Sequence, residues 1–553
     1  MERIWLSQYP KGVDPDVDVR AFTSLRHMFE DCVAQYADQS AFFSMGATLS
    51  YAKLNGLAGA FGSYLQNVAQ LPRGSRVALM MPNLLQYPVA LFGALGAGYV
   101  VVNCNPLFTP RELHEQLKDS EAEAIVVLEN FAGTVKKAAM ETSVRHVVVT
   151  GVGDLLGPLR GALINFMIRH VKRLVPSYNI PGAVSFNQAL RLGAQTPLRR
   201  VDLNADDLAL LQYTGGTTGI PKGAELTHGN LVANVQQGYA WLRPFIEVGR
   251  ETIVTALPLY HIFALTVSCL LFLRIGAANL LIANPRDIPT FVKTLAKHRF
   301  TAIIGVNTLF KALLNNSDFR DLDFTGLKVA VAGGMALHKD VAKKWRAVTG
   351  QTLIEGYGLT EASPAAIINP LDLAAFNGAI GLAMPRTDIS IRDDCGAETP
   401  IGEPGELCIK GPQVMRGYWR RPDETANAIA PDGFVRTGDV AVMDEAGYVR
   451  ILDRKKDVIV VSGFKVYPNE VENIVSLHGG VLEAGAVGAP DATSGEVVKI
   501  FVVKKDQTLT AEELIAHCRK NLISYKVPRH VEFCKELPKD NVGKILRRAL
   551  REM

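Results

Sequence analysis

Tyr213-Thr-Gly-Gly-Thr-Thr-Gly-Ile-Pro-Lys-Gly223 is the stretch of this chain best equipped for chemistry. Glycines at 215, 216, 219 and 223 permit tight turns that aim backbone N–H groups into one concavity, as wrapping a polyphosphate requires. Thr214, Thr217 and Thr218 add hydroxyl donors, and Lys222 adds a mobile positive charge. The apolar run 208–211 reads as a strand that delivers this loop. A Walker A loop is excluded, because that pattern needs Gly-Lys-Ser/Thr and Lys222 is followed by Gly223. Composition alone would also suit a flexible surface turn, and the rest of the chain weighs against it.

Two series of short apolar runs must position such a loop. Residues 76–81, 99–103, 124–128 and 146–150 read as buried parallel strands, followed by a second series at 252–256, 279–282, 301–304, 328–332 and 352–354. Alternation with helical stretches predicts two stacked α/β subdomains with a cleft between them. After about residue 385 the runs 388–392, 406–410 and 448–452 alternate polar and apolar between Gly/Pro turns, as in a small antiparallel β-barrel. Asp453-Arg-Lys-Lys-Asp457 is a compact charged break with a new strand at 458–461 behind it. The boundary is placed there, giving an N-terminal domain over 1–453 and a small α+β domain over 454–553.

At 553 residues the chain exceeds one core, and 48% hydrophobic with 21% charged residues excludes disordered and fibrous classes. Cysteines 32, 104, 269, 395, 408, 518 and 534 are scattered without a CxxC pair, which fits reduced thiols rather than disulfides or a zinc site. The N-terminus has no basic-then-apolar leader, so a cytoplasmic protein is expected. The apolar stretch 84–102 reads as a helix followed by a buried strand, and 262–273 is too short to span a bilayer. Gly151, Gly153 and Gly157 imitate a dinucleotide fingerprint, but the third glycine is one residue late and no ribose-binding acid follows in a βαβ unit.

Charge is concentrated locally. Residues 155–201 contain no Asp or Glu but include Arg160, Arg169, Lys172, Arg173, Arg191, Arg199 and Arg200. Within them, 159–175 reads as one amphipathic helix with Leu163, Met167, Val171 and Leu174 on one face and Asn165, Arg169 and Lys172 largely opposite. Such a helix suits either an anionic membrane surface or packing on the N-terminal domain with a solvated basic face. Nucleic acid is not an expected partner, because no recognised module interleaves stacking aromatics with these charges.

Further motifs follow the loop in fixed order: Ala332-Gly-Gly-Met335, Glu355-Gly-Tyr-Gly-Leu-Thr-Glu361, Arg436-Thr-Gly-Asp439, Leu452-Asp-Arg-Lys-Lys-Asp457 and Gly543-Lys544. Together they resemble the adenylate-forming superfamily of acyl-CoA synthetases, luciferases and adenylation domains, over essentially the whole chain. Leu257-Pro-Leu-Tyr-His-Ile-Phe-Ala-Leu265, Val461-Ser-Gly-Phe-Lys-Val-Tyr-Pro468 and Leu537-Pro-Lys-Asp-Asn-Val-Gly-Lys-Ile545 narrow the resemblance to bacterial long-chain fatty acyl-CoA ligases. The chemistry so implied joins a fatty acid to CoA through an acyl-adenylate, using ATP and Mg²⁺.

The resemblance implies an ATP/AMP-binding set of Tyr213, Thr214, Gly215, Gly216, Thr217, Thr218, Gly219, Lys222, Gly334, Gly356, Tyr357, Thr360, Asp439 and Arg454. Within that set, Tyr357 and Gly334 form the adenine platform and Asp439 accepts the ribose hydroxyls. Glu361 and Thr214 are the implied Mg²⁺ ligands, and Lys544, Glu361 and Lys222 the implied catalytic groups. Lys456 matches an interdomain hinge about which the 454–553 domain turns, withdrawing Lys544 and presenting Ser462, Gly463, Phe464 and Lys465 to CoA. His261 and Phe263 match the flank of the acyl pocket, though His261 equally suits a buried structural role; Ile262, Phe263, Leu265, Val267 and Leu270 line an alkyl tunnel or are plain core. Two departures stand out: Gly215 replaces a common serine in the loop, and Leu265 stands where some members carry a tryptophan gate. The resemblance leaves a homodimer open. Other expectations are a medium-chain or aryl acid–CoA ligase, an enzyme passing acyl-adenylate to a carrier protein, and a non-catalytic fatty-acid sensor or transport partner.

Overall fold

The computed structural model describes residues 3–214, 221–491, 493–539 and 545–553. Both predicted strand series form, because β-branched runs bounded by turn residues bury on both faces under helical crossovers. The first sheet has seven strands in the order Val184–Ser185, His146–Thr150, Ala122–Leu128, Arg76–Met80, Val100–Asn103, Leu208–Thr214 and Lys222–Thr227. All its neighbours are parallel except the last pair, an antiparallel hairpin in which Thr214 lies opposite Lys222.

A second sheet of nine strands runs Leu382–Ala383, Ala365–Ile368, Ile354–Gly358, Val329–Ala332, Ala302–Gly305, Thr252–Thr255, Ala278–Leu281, Ser40–Ser44 and Ala47–Ser50. The strand expected at 352–354 starts instead at Ile354 and carries Gly356 and Tyr357 within it. Antiparallel pairing with Ala365–Ile368 extends it beyond its apolar residues. One continuous core packs residues of both sheets together, including Val77, Val101, Ile253 and Ile303.

The stretch 84–102 folds as expected, into the helix Gln86–Gly96 and the strand Val100–Asn103. The stretch 262–273 forms a π-helical segment, Ala264–Leu270, continued by Leu271–Arg274 in the core. Among the described residues no helix is long and apolar enough to cross a membrane. The decoy glycines make a packing corner: a Cβ on Gly153 would lie 2.3 Å from the Gly161 carbonyl oxygen.

Two expectations are corrected. The strands expected to close a barrel pair as an open four-stranded antiparallel sheet, Asp388–Arg392, Gly405–Lys410, Val435–Met443 and Val449–Arg454. Four strands do not close on themselves here; a bridge from Gly381 to Val449 covers part of the outer edge instead. The helix expected over 159–175 ends early, as Pro158–Phe166 followed by the π turn Met167–Val171. Arg173 then adopts a left-handed φ of 51°, which no helix continues through.

The C-terminal unit has its own sheet and core. Gly495–Lys504 is flanked by Val481–Asp491 antiparallel and His530–Cys534 parallel, with the hairpin Ile459–Val461/Phe464–Val466 at one end. Arg547 knots this unit to the end of Val449–Arg454. Its guanidinium lies 2.5 Å from Asp453 and 2.9 Å from Glu472, and donates to Asn469 Oδ1. Asp453 is fully buried. Removing Arg547 leaves that carboxylate uncompensated, so Arg547→Met is expected to destabilise the C-terminal unit by roughly 3–5 kcal/mol in urea titration. An unchanged midpoint would show the cluster to be hydrated.

Glu355 ties the strand Ile354–Gly358 to the preceding loop, its Oε1 accepting from Leu337 N at 3.0 Å. Burial pushes its carboxyl up from 4.5 to about 8, opposed in part by that N–H. The native state then binds more protons than the unfolded chain between those two values, so this contribution to stability fades as pH rises through about 8. Glu355→Gln is expected to melt above the wild type at pH values past that point, with the difference closing towards acid pH. A gap that does not vary with pH would contradict this.

Candidate active site

In open parallel sheets a crevice forms beyond the carboxyl ends of strands, where successive connections leave in opposite directions. Arg76–Met80 lies between Val100–Asn103 and Ala122–Leu128, and Thr252–Thr255 between Ala278–Leu281 and Ala302–Gly305. A buried amide network joins these two ends. Asn83 Nδ2 donates to the carbonyls of Thr255 and Leu257, each at 2.9 Å, and Asn83 Oδ1 accepts from Leu259 N at 2.8 Å. Tyr87 Oη lies 2.6 Å from Asn103 Oδ1 and 2.8 Å from Leu259 O, its single proton shared between these two acceptors. Asn103 Nδ2 reaches Gln212 Oε1 at 2.9 Å, and Gln212 Nε2 reaches Tyr260 O at 3.1 Å. The segment bearing His261 is thereby held against the strand that ends in Tyr213 and Thr214.

Beyond these ends the predicted nucleotide residues fall into two groups. Asp439 and Arg454 are direct partners across neighbouring strands, with Arg454 Nε 2.8 Å from Asp439 Oδ1. Tyr357 Oη donates to the other carboxylate oxygen at 2.5 Å. In the second group, Glu361 sits on the 3-10 turn Thr360–Ala362 and accepts from Tyr418 Oη at 2.6 Å. Lys222 lies with its Nζ 5.5 Å over the Tyr418 ring and 3.9 Å from Glu424 Oε1. Tyr213 turns aside, its hydroxyl 2.6 Å from Asp119. Gly334 takes a left-handed φ of 76°, and Gly356 lies in the strand Ile354–Gly358. Gly215, Gly216, Thr217, Thr218 and Gly219 lie outside the described residues, as does Lys544.

An apolar pocket is lined by Trp241, Val267, Leu271, Ile304, Val331 and Ile368 among others, and Ile368 pairs with Gly356 on the strand that carries Tyr357. The helix His228–Leu242 forms one wall and the second sheet another. Val267 lines this pocket, whereas Ile262, Leu265 and Leu270 lie in the core. Phe263 stands at Gly333, where a Cβ would come 2.8 Å from its ring. His261 Nδ1 accepts from Phe263 N at 3.3 Å, so this imidazole is engaged locally.

On the C-terminal unit, Lys456 lies in the 3-10 turn Lys455–Asp457 and its carbonyl accepts from Arg551 at 3.4 Å. Ser462 (φ 49°) and Gly463 (φ 86°) are the two positive-φ residues of a tight hairpin. Phe464 and Lys465 follow on its exposed second strand, with Phe464 stacked on Tyr525 at 4.8 Å. Among the described residues no hydrogen bond or ion pair joins this hairpin to Glu361, Tyr357 or Asp439. The unit touches the N-terminal domain elsewhere: Lys311 Nζ, on the helix following Ala302–Gly305, donates to Leu482 O at 2.9 Å.

Sequence reasoning missed Asn83, Asn103 and Gln212, isolated amides in apolar surroundings, and the whole segment 415–421. That segment pairs with the strand Lys222–Thr227, and its Arg421 and Trp419 both hold Asp119. The only sequence signal was its density of aromatic and basic residues beside Gly417. As for Mg²⁺, Glu361 and Thr214 offer hard oxygens. Among the described residues no three His, Cys, Asp or Glu side chains converge on a cation position. One carboxylate and one hydroxyl fit an ion carried largely by phosphate oxygens and water, not an all-protein cage.

Comparison with known proteins agrees with this architecture. The model of the AMP-binding enzyme family matches residues 29–419, and that of the AMP-binding enzyme C-terminal domain matches 470–544. A long-chain-fatty-acid–CoA ligase of Escherichia coli O6:H1 is 56% identical over 552 residues, covering 100% of this chain and 98% of that one. The crystal structure of ATP-bound MatB from Rhodopseudomonas palustris superposes with a TM-score of 0.82 at 29% identity, over 96% of this chain and 98% of the other. Apo MatB gives 0.72 at the same identity and coverage. With both family models matched in order along the chain, and a curated relative 56% identical over its whole length, the chain belongs to the AMP-binding enzyme family.

Proposed function

We propose that this protein is a long-chain fatty acid–CoA ligase working through an acyl-adenylate. The observation that carries the proposal is the grouping of Glu361, Lys222, Asp439 and Arg454 near Tyr357, together with an apolar pocket whose lining residue Ile368 pairs with Gly356 on the strand that carries Tyr357. A fatty carboxylate held there attacks the α-phosphorus of ATP; the bond to the bridging oxygen breaks and pyrophosphate leaves. The CoA thiol then loses its proton and attacks the acyl carbonyl, and AMP departs with the electrons of the acyl–oxygen bond. Both steps accumulate charge on oxygens, which positioned cations and N–H groups stabilise.

In this scheme Asp439 binds the ribose hydroxyls, exchanging its Tyr357 and Arg454 partners for them, and the Tyr357 ring takes the adenine. Glu361 and Thr214 would hold Mg²⁺, whose charge would offset that of the phosphates, and Lys222 serves the polyphosphate. The C-terminal domain begins at Arg454 and turns about Lys456. Turned one way, it brings Lys544 to the α-phosphate for adenylation. After adenylation the Ser462–Lys465 hairpin replaces it, and the exposed Gly463 leaves room for pantetheine.

The basic segment fits a membrane role better than internal packing. Leu159, Leu163 and Val171 are 88%, 60% and 65% exposed, and Phe166 and Leu174 each 56%, so the apolar stripe has no partner within the described chain. Arg169 is tied to buried Glu129 at 2.7 Å, while Arg160, Lys172 and Arg173 remain exposed. A peripheral contact with an anionic bilayer surface follows.

Two measurements check these proposals. ATP–pyrophosphate exchange and thioester formation across C6 to C18 acids are expected to peak together at long chains, and Lys544→Ala to lose exchange by at least about 100-fold. Exchange without thioester would indicate a carrier-dependent enzyme, a peak at aryl or medium-chain acids a different substrate, and neither signal a sensor. In flotation with anionic vesicles, Leu163→Ser/Phe166→Ser and Lys172→Glu/Arg173→Glu are each expected to release the protein. Unchanged binding would remove the membrane role, and a stripe covered by a second copy would appear as a dimer in sedimentation.

A further inference from the structure

The segment 415–421 is stitched to the phosphate site through its main chain. Met415 N donates to Glu361 O at 2.8 Å, Trp419 N to Gly223 O at 2.8 Å, and Glu225 N to Gly417 O at 2.9 Å. Thr425 Oγ1 accepts from Tyr418 N at 2.9 Å. These bonds fix the Tyr418 backbone between the strand beginning at Lys222 and the turn carrying Glu361. Its side chain then touches both charged groups, the hydroxyl 2.6 Å from Glu361 Oε1 and the ring 5.5 Å beneath Lys222 Nζ. Among the described residues Glu361 Oε2 has no hydrogen-bond partner. A tyrosine is suited to such a task, since its two side-chain torsions lose little entropy and its edge and face bind opposite charges.

We infer that Tyr418 is a positioning residue for phosphate chemistry: its hydroxyl fixes one oxygen of Glu361 so that the other faces the cation–triphosphate, while its ring sets the resting place of Lys222. The inference rests on the roles proposed above for Glu361 and Lys222. A hydroxyl–carboxylate bond of this kind contributes most when the acid is held in a site partly shielded from water. Tyr418 also explains why Glu361 and Lys222 do not pair directly and quench one another. Each is given a separate partner, Glu361 the hydroxyl and Lys222 the ring with Glu424.

Tyr418→Phe removes only the hydroxyl, and Tyr418→Leu removes the ring as well. With Mn²⁺ as probe and a non-hydrolysable ATP analogue, electron paramagnetic resonance is expected to show about ten-fold weaker metal binding in the Phe variant. The Mg²⁺ concentration for half-maximal pyrophosphate exchange should rise in parallel, while thioester formation from synthetic acyl-adenylate stays at the wild-type rate. The Leu variant should additionally raise KM for ATP. Circular dichroism melts establish that both variants are folded. Wild-type Mn²⁺ affinity in a folded Phe variant overturns the inference alone. Failure of the wild type itself to bind Mn²⁺ with the analogue, or to exchange pyrophosphate, overturns the ligase proposal and this inference with it.

Discussion

Asn83, Asn103 and Gln212, with the Tyr87 hydroxyl, bind the carboxyl ends of the two parallel sheets together, and the crevice exists where they do so. All four are buried, so their mutual hydrogen bonds replace water that cannot reach them. Each bond contributes only about 1 kcal/mol net, but loss of one partner strands the other in an apolar core at a cost of about 1–3 kcal/mol. That asymmetry makes the arrangement specific: an apolar seam could slide, whereas amides admit one register. The segment 256–263 is held in that register, which places Phe263 against Gly333.

The charged residues above this seam are paired rather than bare. Asp439 has Tyr357 and Arg454, Glu361 has Tyr418, and Lys222 has Glu424 and an aromatic ring. Bare charges in a half-buried cleft would pay desolvation without compensation. Pairs that a polar ligand can exchange for its own groups keep the site formed before ligand arrives, which lowers the ordering cost of binding. The antiparallel sheet has a part in this, since Asp439 and Arg454 meet only through its register.

The apolar stripe from Leu159 to Leu174 contrasts with this economy. An amphipathic pattern read in sequence does not say which side is covered, because helix packing and membrane contact demand the same periodicity. In the fold Glu129 draws Arg169 inward, and the large apolar side chains are left facing solvent. The early end of the helix at Phe166, and its π turn, were likewise invisible to periodicity.

By itself the sequence determined the strand series, because parallel strands declare themselves as short apolar runs, and the order of motifs, whose resemblance to known strings indicated the family. It also marked Asp439, Arg454 and Glu361, since each stands inside a string that resembles the family's motifs. Only the tertiary structure decided which charges meet, and in what company. Tyr418 is 57 residues from Glu361 along the chain, and Tyr357 is 82 from Asp439. Contacts over such separations depend on sheet order and register, which local pattern does not encode. The same holds for the pocket: Val267 lines it while Leu265 is core, a difference set by how a π-helical segment rotates its side chains against the second sheet.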